Sequence, residues 1–250
     1  MDIAILIKPV SSNLIKSDSN KPYMINPYDL YALKQISKLK DDLNIKLIAF
    51  IMGRENKRVI SEVKYNGADE VIMLSDDIYA GSDTFATANI LYTAIKNYND
   101  IRLVICGDHA IDGETGHVGA AIARKLGFYY IRDVVSLSSA DNSLLCVTRS
   151  SGFEREYKIL DNCFLSFNEP DLNDVVLPMN LLRRVDNVVY TLLNNTDLNV
   201  DPSLCGKTGS RTAVIRVHSF DNDSSRNRIL LDSNEPQSYS KIVQMMKEVL

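Results

Sequence analysis

The feature that most limits what this chain can fold into is an alternation over its first half. DIAILIK (2–8), IKLIAFIM (45–52), EVIML (70–74) and IRLVIC (101–106) are short apolar runs with no helical period. Such runs suit strands buried on both faces. Between them, apolar residues recur at helical spacing. Leu33, Ile36, Leu39 and Leu43 follow Asn26-Pro27, and Phe85, Ala88, Leu91, Tyr92 and Ile95 follow Asp83. Val118, Ala121, Ile122 and Leu126 follow Thr115. Buried strands alternating with amphipathic helices imply right-handed βαβ units. The expected fold class is α/β, a doubly wound, mostly parallel, Rossmann-like sheet.

Helix starts are marked as well. Asn26 is placed to cap a helix over 27–41, with Pro27 in its first turn and Asp29 three residues on. Ser82 or Asp83 is placed to cap the second helix. A third, over 115–126, ends on Arg124, Lys125 and Gly127, as its dipole and a left-handed stop prefer.

The alternation fails near residue 130. YIRDVVSLSS (130–139), SLLCVTRSS (143–151), FEREYKIL (153–160) and CFLSF (163–167) read as β segments joined by turn residues. The first three form an antiparallel meander added to the parallel sheet. LPMNLLRRV (177–185) is a short amphipathic stretch. Residues 194–212 are polar and read as extended over a surface. A last helix is expected over Tyr239–Leu250. The division this implies is an α/β domain over 1–185 and an extended C-terminal arm with its helix over 186–250. That arm needs a surface to lie on, another chain's by expectation.

A length of 250 residues suits one large domain or a domain with an appendage. The formal charge of −4 argues against nucleic-acid binding, which wants a basic face. No apolar run approaches the roughly 18 residues of a membrane span. MDIAILIKPV reads as a first strand rather than a secretory leader. The four cysteines lie far apart with no CxxC, as in a reduced, cytoplasmic chain.

In an open α/β sheet, ligands sit beyond the carboxyl ends of the strands. Three loops fall there: Lys8 to Asp29, Ser75 to Thr87 and Gly107 to Val118. Each leads into a helix whose free N–H groups and positive dipole end suit phosphate. Gly113, Gly116 and Gly119 permit close backbone approach, and Thr84, Thr87 and Thr115 offer hydroxyls. Together these suggest a nucleotide pocket, though neither GxGxxG after strand one nor a P-loop is present. His109 and His117, with Asp108, Asp112 and Glu114, could instead form a metal or acid–base cluster. H-x₇-H across a loop is not a helical ligand pair, so His109 reads as a loop hydrogen-bonder. His117 reads as a donor to phosphate or backbone. Asp112 and Glu114 suit ribose hydroxyls or general acids. Asp29 and Asp83 have a complete explanation as helix-start residues. A nucleotide-binding module or an ATP hydrolase on the same sheet stays open.

Several longer stretches add a resemblance. INPYDLYALKQISKLKD (25–41), GADEVIMLSDDIYAGSDTFATANIL (67–91) and AIDGETGHVGAAIARKLG (110–127) resemble the β subunit of electron transfer flavoproteins. NEPDLNDVVLP (168–178) and LNVDPSLCGKTGSRTAVIRVHSF (198–220) resemble its later segments. The resemblance implies an electron-carrying subunit that pairs with an FAD-bearing α subunit. It would exchange electrons with an acyl-CoA dehydrogenase, a quinone oxidoreductase or NADH. Its own adenine-nucleotide pocket would hold FAD, as in the electron-bifurcating, FixA-like branch, or AMP. By position that pocket would use Leu6, Asn26, Pro27, Tyr28, Asp29 and Met52. From the later loop it would use Gly107, Asp112, Gly113, Thr115, Gly116, His117 and Val118. The AGSDTFAT stretch would bring Asp83, Thr84 and Thr87 to an FAD diphosphate. Partner recognition would fall near Leu177. Asp171 stands where the family often has arginine, and His117 replaces a usual glutamine.

Overall fold

A computed structural model describes residues 1–11, 23–98, 100–160, 162–172, 177–183, 185–213, 239, 240, 242 and 243. The chain forms two compact units, Met1–Ala213 and Val214–Leu250. In the second, Tyr239, Ser240, Ile242 and Val243 are helical, and the rest of the expected last helix lies outside the described residues. The sheet described next takes in residues beyond 185, so the first unit extends past the boundary read from the sequence.

The apolar runs become β1 (Asp2–Ile7), β4 (Lys46–Met52), β5 (Glu70–Leu74) and β6 (Ile101–Gly107). Between β1 and β4 lie a short antiparallel ribbon, β2 (Pro9–Ser11) with β3 (Tyr23–Ile25), and two helices, α1 (Pro27–Ser37) and α2 (Lys40–Leu43). The single helix expected over 27–41 is thus broken. Leu39 leaves helical geometry at φ −102° and ψ 2°, while Leu39 and Leu43 still pack on the core. Then come α3 (Lys57–Tyr65), α4 (Thr84–Lys96) and α5 (Val118–Leu126). The second half supplies β7 (Tyr129–Ala140), β8 (Ser143–Ser150), β9 (Phe153–Lys158), β10 (Cys163–Phe167), α6 (Met179–Leu182), β11 (Thr191–Leu193), α7 (Asn195–Leu198) and α8 (Gly206–Gly209).

The nine-stranded sheet runs β11-β5-β4-β1-β6-β10-β7-β8-β9. It is parallel from β11 to β7, and β7, β8 and β9 form the antiparallel meander. The doubly wound α/β class holds. Along β1, Ile3, Ile5 and Ile7 pack with α1 and α3 on one face, and Ala4 and Leu6 with α4 and α5 on the other. Each fully buried isoleucine contributes about 1.5–3 kcal/mol. That two-sided burial is why β1 carries no alternation.

Three features were not read from the sequence. α3 carries Val59, Ile60 and Val63 inward, and its start is capped by Asn56, which accepts from Val59 N at 3.2 Å. β11 adds a parallel edge strand beside β5. β10 returns to lie between β6 and β7 rather than following the meander.

Candidate functional site

β1 is the middle of the parallel sheet. The chain grows outward from it through β4 and β5, then crosses back to β6 on its other side. At such a reversal the loops after the two central strands part and leave a crevice. Here a cleft of about 900 Å³ opens at the carboxyl ends of β1, β4, β5 and β6. Leu6, Phe50, Met52, Cys106 and Leu91 give it an apolar floor, and the loops 75–82 and 107–119 form its rims.

One carboxylate ties the two central strands together. Asp29, in the first turn of α1, accepts from Lys8 N through Oδ2 and from Gly107 N through Oδ1, each at 2.8 Å. It is therefore more than a helix-start residue: it spans the ends of β1 and β6. Burial raises its pKa to about 6, against the lowering effect of those N–H donors and of Asn26 and Lys8. Gly107 must be glycine here. A Cβ would lie 2.5 Å from Tyr28 Cβ and 2.6 Å from Asp29 Oδ1.

Asn26 does not cap α1 with its side chain. It turns toward the 107–118 loop instead, donating to His109 O at 2.9 Å and accepting from Ile111 N at 3.4 Å. At the cleft's edge Lys8 Nζ meets Asp112 Oδ1 at 2.5 Å, and Lys8 is half exposed. Pairs of that kind stabilise by about 0–1 kcal/mol.

The next two helix starts differ. α4 is capped by Asp83, whose Oδ1 accepts from Ala86 N at 3.0 Å. Its Oδ2 also accepts from Arg211 N (2.7 Å), Thr212 N (2.9 Å) and Thr212 Oγ1 (3.0 Å). Burial opposes ionisation of this carboxyl, but those donors outweigh it and lower its pKa to about 2. The Arg211 guanidinium lies 3.7 Å from the Phe85 ring centroid. Ser82 accepts from Gly206 N at 3.1 Å, so residues 206–212 are sewn to this end of α4. Gly206 fits with φ +55°, because a Cβ there would lie 2.1 Å from Ile78 O.

α5 begins at Val118, three residues later than the sequence suggested, because Gly116 takes φ +62° and turns the chain first. His117 holds the cap position without a side-chain cap. The first-turn N–H groups of α5 therefore have no side-chain acceptor, and Val118 and Gly119 line the cleft.

Of the positions expected around a nucleotide, Leu6, Asn26, Asp29, Met52, Thr87, Gly107, Gly113, Thr115, Gly116, His117 and Val118 all line the cleft. Pro27, Tyr28, Asp83, Thr84 and Asp112 stand behind or beside its walls. Thr84 Oγ1 lies 3.3 Å from Thr115 Oγ1, which joins the two rims. Leu177 is buried within this chain, and the nearby Met179 is exposed. Asp171 pairs with Lys34 at 2.6 Å, and its N–H reaches Pro27 O at 3.0 Å.

Sequence reasoning missed a node at Asp108. Its side chain is buried and takes a two-pronged grip from Arg132, Nε to Oδ1 and Nη2 to Oδ2, both at 2.8 Å. Ser166 Oγ donates to Oδ1 at 2.9 Å, and His109 Nδ1 lies 3.4 Å from Oδ2. Burial acts to raise this carboxyl's pKa, but the bonds from Arg132, Ser166 and His109 hold it below the ordinary value. The His109 ring leans on Tyr28, centroids 4.1 Å apart. Asp108 is thus committed to a guanidinium, and no group of three or more potential metal ligands occurs among the described residues.

The model of the electron transfer flavoprotein domain matches residues 14–163. The chain belongs to the electron transfer flavoprotein family. It is 30% identical over 241 residues to protein FixA of Bradyrhizobium diazoefficiens, covering 93% of this chain and 83% of that one. It is 31% identical over 220 residues to the electron transfer flavoprotein subunit beta of Thermoanaerobacterium thermosaccharolyticum, covering 84% and 80%. With the CarD subunit of the caffeyl-CoA reductase-Etf complex of Acetobacterium woodii it shares 29% over 222 residues, 85% and 81% of the two chains. The chain is a β-type, FixA-like electron transfer flavoprotein subunit. No helix among the described residues is long and apolar enough to cross a membrane.

Proposed function

We propose that this cytoplasmic subunit holds FAD in the cleft between β1 and β6. Together with an FAD-bearing α subunit it would pass electrons between a donor, either a dehydrogenase or NADH, and an acceptor such as a quinone oxidoreductase. The observation that carries this reading is the uncapped start of α5, which opens on a cleft at the upper end of the roughly 300–1,000 Å³ of ligand sites. Val118 and Gly119 lie where free N–H groups favour a phosphate. Thr115 and Thr87 add hydroxyls, and His117 adds a donor at the same rim. The apolar floor of Leu6, Phe50 and Met52 suits a planar ring system. FAD would supply the redox chemistry, and the chain supplies binding, orientation and electrostatics. The residues present therefore fit an adenine nucleotide with a diphosphate.

A second reading, structural AMP in the same cleft, has an observation in its favour. Asp83 and Thr84, which the family resemblance assigns to the FAD diphosphate, are engaged with Arg211, Thr212 and Thr115. Only Thr87 of that trio lines the cleft. The two readings separate by nucleotide counting on the complex coexpressed with its α partner. Two FAD per heterodimer is the result expected here, and one FAD with one AMP establishes the second reading. ATP turnover by the isolated chain, with no flavin bound by the complex, would sink both.

A further inference from the structure

Away from the nucleotide cleft, the sheet forks. β7 and β8 are zipped from Val134–Thr148 to Ala140–Ser143. Below that point Tyr129, Tyr130 and Ile131 pair with β10, while Arg149 and Ser150 of β8 pair with β9. The two edges that face each other across the fork have no ladder partner among the described residues. Asp133 takes φ +58° at the split, and the ladders on both sides of β7 shift register there. A second cleft of about 610 Å³ lies in the fork, between the first half of β7 and the β8–β9 ribbon.

We propose that this fork receives an extended, acidic segment of a partner polypeptide, which adds a strand to the free edge of β7 at Tyr130–Asp133. An unpaired ladder edge inside a groove is a template for strand addition: backbone bonds give affinity and alternate side chains give choice. Side chains at the mouth carry the choice. Tyr129 is 74% exposed, Leu160 80% and Tyr157 39%, a grouping that marks a contact surface. Charge decides the sign of the partner. Arg155 and Lys158 line the cleft and have no ion pair among the described residues. Arg149, one strand away, is matched by Glu154 and Glu169. Among the described residues Asp133 is the one carboxylate lining the fork, and it already accepts from Asn168 Nδ2. A cationic groove on a chain of formal charge −4 selects for acidic partners. None of this depends on what the nucleotide cleft holds.

The test uses the full chain and strand-forming peptides of about seven residues, alternating valine and tyrosine with glutamate, glutamine or lysine. Hydrogen exchange and fluorescence anisotropy are the readouts. The glutamate peptide is expected to bind and to protect the amides of Tyr130–Asp133. Its affinity should fall about tenfold in the double variant Arg155→Ala, Lys158→Ala, whose substituted side chains are exposed. Tyr129→Ala should weaken it again while leaving the protection pattern in place. Binding that ignores peptide charge, protection confined to other segments, or no binding by the glutamate series overturns the proposal. So does concentration-dependent self-association with Tyr130–Asp133 protected in the absence of peptide, which would assign the fork to a second copy of this chain.

Discussion

α4 and α5 pack against each other on one face of the sheet, and their starts both border the cleft, yet they begin in opposite ways. α4 opens on a carboxylate that caps its own first turn and also holds Arg211 and Thr212. α5 opens on His117, whose side chain caps nothing. A capped start has its donors satisfied from within and gains helix stability. An uncapped one leaves donors for whatever enters the cleft. The difference teaches that proximity to a pocket does not make a helix end a binding site. What the first-turn donors already hold decides it.

The largest expected effect lies on the open side. Gly107→Ala drives a methyl into Tyr28 and Asp29, breaking the clasp that positions the loop leading to α5. A loss of about 3 kcal/mol in urea unfolding is expected, with loss of bound nucleotide. An unchanged midpoint would mean that the close approach of β6 and α1 is not needed.

Asp29→Asn comes next. One amide cannot accept from both Lys8 and Gly107, so about 2 kcal/mol should be lost at acid pH, a cost that relief of the buried charge offsets toward neutral pH. The wild type adds a pH signature. Asp29 has a folded pKa raised to about 6 from 3.8. Its stabilising protonation is therefore fully present below about pH 4 and is lost as pH rises through about 6, on the order of 3 kcal/mol at most. The asparagine variant should lack that decline. Asp83, lowered to about 2, works the other way: its contribution is present above about pH 4 and is lost as pH falls toward 2. Chemical denaturation across pH in the two single variants measures both slopes, and parallel slopes would erase the contrast.

His117→Asp converts the open start into a closed one. A carboxylate there favours the helix dipole but competes with an anionic ligand, so nucleotide affinity should fall about tenfold while the apo chain loses no stability. Calorimetric titration alongside thermal melting separates the two effects. The smallest change is expected for Asp83→Ala, about 1 kcal/mol from the lost cap, with faster proteolysis near Arg211. If the FAD reading holds through this residue, flavin content drops as well. If it does not drop, Asp83 serves only to fasten residues 211 and 212.

The strands of the parallel core were legible because two-sided burial leaves a blunt signal, a run such as LIAFI with no polar break. α3 was not, since Val59, Ile60 and Val63 are β-branched and stand among charges. The need for a crossover helix between parallel β4 and β5 was the clue available. β11 is three residues long, and nothing local distinguishes it from loop. The place of β10 is set by pairing partners in β6 and β7 that are distant in sequence. Within the site, glycines and hydroxyls at loop ends pointed to the cleft. Asp108 was visible only as a candidate for a metal or acid–base cluster, because its actual partners, Arg132 and Ser166, lie 24 and 58 positions away. The local pattern at Asn26 and Asp29 reads as a helix start, and only the family resemblance places them at the pocket, because a capping pattern looks the same whether or not the side chain turns elsewhere.

The central place of β1 also has a consequence in time. Ala4 is made before either of its ladder partners, Ile48 on one side and Val104 on the other. Until β6 has emerged, one edge of this buried apolar strand has nothing to lie against, in a nascent polypeptide still growing. Pulse proteolysis of stalled nascent chains should find Asp2–Ile7 unprotected in lengths ending before Ile101 and protected once β6 has cleared the exit tunnel. Protection in the shorter lengths would show that β4 alone suffices to hold the strand.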